Sequence, residues 1–216
     1  MMRPPILFFS GVEIKNNAAG TGSSSSCAAA TRLGAGGFLT HSHGRSLNDT
    51  VYATGTTESS PIPIGTVTAL ANSSGLDAAF ITLSDDAAAS NYIPGANRLI
   101  AAYGSVEVGD NVTLYAKYGP KTGQVIALDR VYYLDNIRDS NGQLIPLSGI
   151  SVNYYADLGD SGGCIVLTND TQTLVGMQSS RSSVDDDSDP DTPDLQFSTF
   201  VSAPLFLNAL NATLFN

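Results

Sequence analysis

Gly159-Asp160-Ser161-Gly162-Gly163 decides how this chain is read. A serine set so closely among glycines belongs on a tight turn, its hydroxyl clear and the neighbouring N–H groups free to point into a cavity. Such a serine becomes a nucleophile only beside a base, and the base needs an orienting carboxylate. The chain has two histidines, His41 and His43, and both precede Ser161. The order of a triad can therefore be read directly.

The turn of α/β-hydrolases also fits Gly-x-Ser-x-Gly, but it needs the histidine after the serine, and none follows Ser161. The subtilisin order needs an aspartate before the histidine, and the first aspartate is Asp49. His, Asp, Ser remains, the order of chymotrypsin-like proteases. Gly37-Phe38-Leu39-Thr40-His41-Ser42-His43 resembles that family's strand into its catalytic histidine, with His43 in the catalytic place. Asp77-Ala78-Ala79-Phe80-Ile81 resembles its aspartate segment, and Leu174-Val175-Gly176-Met177-Gln178-Ser179 the strand that carries substrate backbone. From about Ser10 onward the chain resembles chymotrypsin-fold serine proteases, closest to the streptogrisin and α-lytic type.

The resemblance implies an all-β fold of two six-stranded antiparallel Greek-key β-barrels with a short C-terminal helix. The first barrel is expected over 1–90, a connection over 91–104, and the second barrel with the helix over 105–216. The implied chemistry is serine endopeptidase action through an acyl-enzyme, with His43 as base, Asp77 as its orienting acid and Ser161 as nucleophile. The N–H groups of Gly159 and Ser161 would form the oxyanion hole, Gly159 being read as a position where a Cβ would interfere. Tyr155, Ala156, Asp157, Leu158, Ser179, Ser180 and Arg181 would line the substrate cleft. Counting back from Ser161 puts Tyr155 at the pocket floor, which favours a small or apolar substrate side chain; Asp157 at the floor would favour Lys or Arg instead. Arg181 stands where the family usually has glycine and would narrow the cleft. Pro120 stands where the bacterial branch pairs an arginine with the aspartate before the nucleophile, so Lys121 is the candidate partner of Asp160.

His41 competes with His43, since residues two apart on a strand share a side; the family has a small residue there. Asp49 is the rival to Asp77 but lies in a polar stretch. No cofactor is expected, and two histidines alone make a poor zinc site. A catalytically inactive homologue acting as a binding protein, or an esterase on the same fold, is the alternative reading.

Composition agrees. The 21 glycines and 14% charged residues suit a turn-rich β protein. A net charge of −10 argues against nucleic acid and anionic membrane as partners; a polypeptide substrate and a monomeric enzyme are what the resemblance implies. The acidic, lysine-poor surface suits a secreted enzyme, and sequons at Asn48, Asn72, Asn111, Asn169 and Asn211 lean toward a glycoprotein. Ile6 to Phe9 is too short for the apolar core of a signal peptide, about 7–15 residues. Cys27 and Cys164 are either disulfide-bonded or two buried thiols, because the residue after His43 is Gly44 rather than the family's bridging cysteine. Asp185 to Asp191 reads as a solvated acidic loop, with weak calcium binding or attraction of basic substrates as alternatives. Ile6 to Ile14 reads as one strand, and Pro204 to Asn211 as a short amphipathic helix carrying Leu205, Leu207 and Leu210.

Overall fold

The computed structural model describes residues 6–16, 22–53, 61–184 and 195–215. The acidic run at 185–191 lies outside them. Nearly every regular element is a strand, with one α-helix, Ala203–Leu210, near the C-terminus.

The first sheet runs Ala29–Arg32, Ala35–Thr40, Ala79–Leu83, Ile62–Leu70, Thr50–Ala53, Glu13–Lys15, Ser23–Ser25, each neighbour antiparallel. Its two ends belong to one stretch of chain. Ser26 N–H donates to the Val12 carbonyl at 2.9 Å and Cys27 N–H to the Leu39 carbonyl at 2.8 Å, so the run from Ser23 to Arg32 pairs at one end with Glu13–Lys15 and at the other with Ala35–Thr40. The sheet thereby curls back on itself. In the second sheet the order is Asn111–Ala116, Gly119–Tyr132, Leu147–Val152, Leu195–Ser202, Thr173–Val184, Cys164–Leu167, and Cys164–Leu167 pairs again with Asn111–Ala116. Taken in chain order, both rings run first, second, third, sixth, fifth, fourth. The two halves thus repeat one Greek-key topology with no repeat visible in the sequence.

Each ring has its own apolar filling. Phe8, Ile14, Phe38, Val51, Ile64, Val67 and Ile81 fill the first; Val112, Leu114, Val125, Val152, Ile165, Val175 and Phe200 fill the second. A third cluster joins the halves: Cys27, Leu39 and Phe80 pack with Cys164, Leu174, Met177 and Val201, under Phe206, Leu207 and Leu210 of the helix. Alternation along the strands supplies the inward faces.

Some expectations change. Ile6 to Ile14 is two strands, Ile6–Phe8 and Glu13–Lys15, separated by a turn at Ser10-Gly11, and they join different partners. The helix buries Leu207 and Leu210 together with Phe206; Leu205 is 49% exposed, because Ala203, Phe206, Leu207 and Leu210 share the inward face. Pro204 in its first turn and Asn211, left-handed at its end, fix its length. Beyond it, Ala212–Leu214 pairs with Ala29–Arg32, so the C-terminus extends the first sheet.

Candidate active site

Strand register brings the histidine and the aspartate together. Thr40, the last residue of Ala35–Thr40, pairs with Ala79, the first of Ala79–Leu83. The chain just past one strand, His41-Ser42-His43, therefore lies against the chain just before the other, which carries Asp77. Asp77 is fully buried. Its Oδ1 accepts from Ser42 N–H at 2.8 Å, Ser42 Oγ at 2.9 Å and His43 N–H at 2.8 Å. Its Oδ2 meets His43 Nδ1 at 2.6 Å and accepts from Ser179 Oγ at 2.5 Å. Burial would raise this carboxyl's pKa. The charge and hydrogen bond of His43, with His41 and Ser179, overcome that and hold it far below the usual aspartate range. Tyr132 steadies the far side by donating to Ser179 Oγ at 2.7 Å; burial, then the Asp77 charge, pushes its phenol pKa up.

Ser161 sits between Leu147–Val152 and Cys164–Leu167, on a turn bonded on every side. The Ser161 carbonyl accepts from Ser25 N–H at 2.8 Å, Gly162 N–H donates to the Gln178 carbonyl at 2.7 Å, and Gly163 N–H to the Asp160 carbonyl at 2.9 Å. Ser25 Oγ also donates to the Gly159 carbonyl at 3.0 Å, so the first barrel grips the turn of the second at two points. Gly159 and Ser161 N–H donate to no protein acceptor among the described residues. At Gly162, φ is +86°, and a Cβ would lie 2.2 Å from the Ser25 carbonyl oxygen and 2.4 Å from Thr40 Oγ1. At Gly159 the constraint differs from the expected clash. A Cβ would meet nothing closer than 3.5 Å, and it is φ of +104° that calls for glycine.

Lys121 does pair with Asp160. Nζ lies 2.5 Å from Oδ2 of this buried carboxylate and 3.0 Å from Asp157 Oδ2. Burial works against the Lys121 charge, but these two carboxylates raise its pKa overall. Asp157 is thus ion-paired to Lys121, with its side chain 53% exposed.

His43 and Ser161 face one cleft of about 200 Å³, which Leu134, Ala156, Asp157, Leu158, Gln178, Ser179, Ser180 and Arg181 also line. Tyr155 stands outside that lining; its ring carries the Arg181 guanidinium at 5.0 Å. Arg181 also donates to the Ala156 carbonyl at 3.2 Å. A second cleft on the other side of Ser161 and His43 is lined by Asn16, Ser23, His41, Gly44, Asn136, Leu158 and Gly159. The Ser161 hydroxyl donates to the Ser179 carbonyl at 3.2 Å, and no Ser161–His43 hydrogen bond is present among the described residues.

His41 is buried and packs against His43, ring centroids 3.9 Å apart and planes tilted by 33°. Among the described residues His41, His43 and Asp77 form the one cluster with ligand atoms within 4.8 Å of one another. Five donors already occupy the Asp77 oxygens, so the cluster is built as a hydrogen-bonded network and does not fit a metal ion. Asp49 accepts from Ser46 N–H at 2.6 Å in a turn of its own and takes no part in the cluster. Cys27 and Cys164 are two free, buried thiols. Burial, and for Cys27 also the neighbouring Cys164, raises their pKa values, Cys164 to about 12.

Sequence reasoning missed Ser42 and Tyr132, which brace Asp77 and Ser179, and Gln178. The buried Gln178 amide accepts from Tyr154 OH at 2.8 Å and donates to the Ser180 carbonyl at 2.7 Å. Ser42 stood within the quoted histidine stretch, but nothing local signalled Tyr132, which lies 47 residues from Ser179.

No protein-family model and no curated protein matches the chain. Solved structures do. The Nocardiopsis protease NAPase superposes with TM-score 0.69 at 19% identity, over 97% of this chain and 100% of that one. Thermobifida fusca protease A gives 0.69 at 15% identity, over 96% and 98%. Cellulomonas bogoriensis chymotrypsin gives 0.67 at 18% identity, over 97% and 99%. The chain has the two-barrel fold of the chymotrypsin-type serine proteases, including the bacterial members that its motifs resemble.

Proposed function

We propose that this protein is a serine endopeptidase in which His43, Asp77 and Ser161 form the triad. The observation that carries the reading is the Asp77–His43 bond of 2.6 Å opening onto a cleft shared with Ser161. Asp77 holds the His43 proton on Nδ1 and leaves Nε2 free to take the Ser161 hydroxyl proton as Oγ attacks the scissile carbonyl. The proton then passes to the leaving amine, and water repeats the cycle on the acyl-enzyme. Gly159 and Ser161 N–H, both unclaimed by protein acceptors among the described residues, bind the developing oxyanion, where one donor is typically worth about 100-fold in rate or more. Ala156, Asp157, Leu158, Ser179, Ser180 and Arg181 contact substrate, and Tyr155 acts behind them by seating Arg181.

On this reading 1–90 supplies base and acid, 105–216 supplies nucleophile and oxyanion hole, and 91–104 connects them. The enzyme is a monomer acting on polypeptides outside the cell and needs no cofactor.

The test is burst kinetics with an activated ester alongside turnover of a peptide library. An initial burst of about one product per chain, lost in Ser161→Ala and His43→Ala, supports the reading. Ester turnover without peptide turnover would make the protein an esterase. A folded chain with no burst would make it a binding homologue, a reading that the Ser161–Ser179 hydrogen bond favours.

A further inference from the structure

The triad leaves His41 without a role. It is 2% exposed, and among the described residues neither ring nitrogen has a hydrogen-bond partner. An unpartnered buried polar atom is costly, so an apolar ring would be the cheaper filling. The ring packs against the His43 ring, centroids 3.9 Å apart and planes 33° apart. On another side it meets the nucleophile turn, where a Cβ built on Gly162 would come within 3.2 Å of His41 Cδ2.

The charged groups around it favour the neutral form. Burial, then the charges of His43 and Arg45, hold the His41 pKa well below the usual value; the Asp77 charge acts against them. Arg45 is itself buried, donating to the His41 carbonyl at 3.1 Å and to Ser24 Oγ at 2.7 Å, with Asp77 and then Asp49 as countercharges. Asp157 and Arg181 line the cleft on the far side of His43.

We propose that His41 is a positioning residue whose ring face fixes the plane of the His43 ring. This rests on the triad reading above. The bond from His43 Nδ1 to Asp77 fixes one axis of that ring but leaves it free to rock about the axis. A flat partner at stacking distance removes that freedom and keeps water from the back of the ring. Two imidazolium rings so close would repel, so the proton taken from Ser161 has one site, His43, beside Asp77.

The test uses His41→Phe, which keeps a flat face, and His41→Leu, which keeps apolar bulk without one. Both remove two unpartnered polar atoms, so neither should lower the melting temperature. With only two histidines in the chain, ¹⁵N-histidine NMR reads both rings. The native protein should show one imidazole that stays neutral throughout the pH range of the folded state, and a downfield Nδ1 proton from the His43–Asp77 bond. His41→Phe should keep that proton signal and a kcat within about threefold of native. His41→Leu should broaden the signal and lower kcat about tenfold or more at little-changed KM, as expected when a reacting group is imprecisely held. Protonation of His41 in the folded state, or a sharp downfield proton in His41→Leu, overturns the proposal. If no variant and no native chain shows a burst, the triad reading fails by that measurement, while the NMR result still decides the role of His41.

Discussion

Asp77→Asn tests the site at its most heavily bonded atom pair. The carboxylate accepts five hydrogen bonds: Oδ1 from Ser42 N, Ser42 Oγ and His43 N, Oδ2 from His43 Nδ1 and Ser179 Oγ. An amide has one acceptor oxygen. Kept on the Oδ1 side, where two donors are backbone N–H groups that cannot turn away, it leaves NH₂ facing His43 Nδ1 and Ser179 Oγ. Two charge-assisted bonds of about 1.5–3 kcal/mol each are then lost. Relief from burying a charge offsets part of this, for a net loss of about 2–4 kcal/mol. At about 2–4 °C per kcal/mol for a chain of this size, the melting temperature should fall by roughly 5–15 °C. The functional effect is larger. An NH₂ donating to Nδ1 puts the imidazole proton on Nε2, which then cannot accept from Ser161, and this tautomer error costs about 10⁴ in kcat in triads of this type. Thermal unfolding gives the first number and ester burst kinetics the second. A folded Asp77→Asn chain with kcat within tenfold of native would refute the assignment of Asp77 as the orienting acid.

Gly162→Ala puts a Cβ 2.2 Å from the Ser25 carbonyl oxygen at φ +86°, so strain and overpacking should together cost about 3–5 kcal/mol, read by urea unfolding. Ester turnover should fall with it, because the turn that carries Ser161 must move. Lys121→Ala leaves the buried Asp160 carboxylate without its cation and should destabilise the chain by about 3 kcal/mol in the same assay, whereas a surface pair would cost under about 1. Glu13 gives a pH signature. Burial would raise its pKa, but hydrogen bonds from Lys117, Lys15 and Ser23 bring it from 4.5 down to about 2. Being depressed on folding, it contributes stability in full above pH 4.5, and this is lost as pH falls toward about 2. Glu13→Gln should therefore weaken the chain at pH 7 and flatten its stability loss over that window. Parallel native and variant curves would remove Glu13 from the acid response.

How much of this was legible depended on distance along the chain. Ser161 with its glycines and His43 behind Phe38-Leu39-Thr40 are contiguous signals, and the order of three residues types settled which triad to seek. Asp77 was readable because it opens an apolar strand. What binds these segments is not local. Ser25 grips the nucleophile turn across 134 residues, and Ser179 reaches Asp77 across 102. Single serines carry no periodicity and no unusual chemistry, so nothing in the sequence marks Ser25, and Ser179, though read as a cleft residue, shows no sign of its bond to Asp77. Tyr155 shows the other kind of failure. Counting back from Ser161 gave it a pocket position, but side-chain direction turns it under Arg181 instead. The break in the first strand at Ser10-Gly11 was hidden for a similar reason: Ile6 to Ile14 is apolar enough for one strand, and only pairing with different partners divides it.

The most direct test of the triad is to treat the native chain with a fluorophosphonate and locate the adduct by peptide mass spectrometry. The account predicts one adduct per chain, on Ser161, formed far more slowly in His43→Ala and Asp77→Asn. A folded native chain that takes no label, or one labelled elsewhere than Ser161, would contradict it.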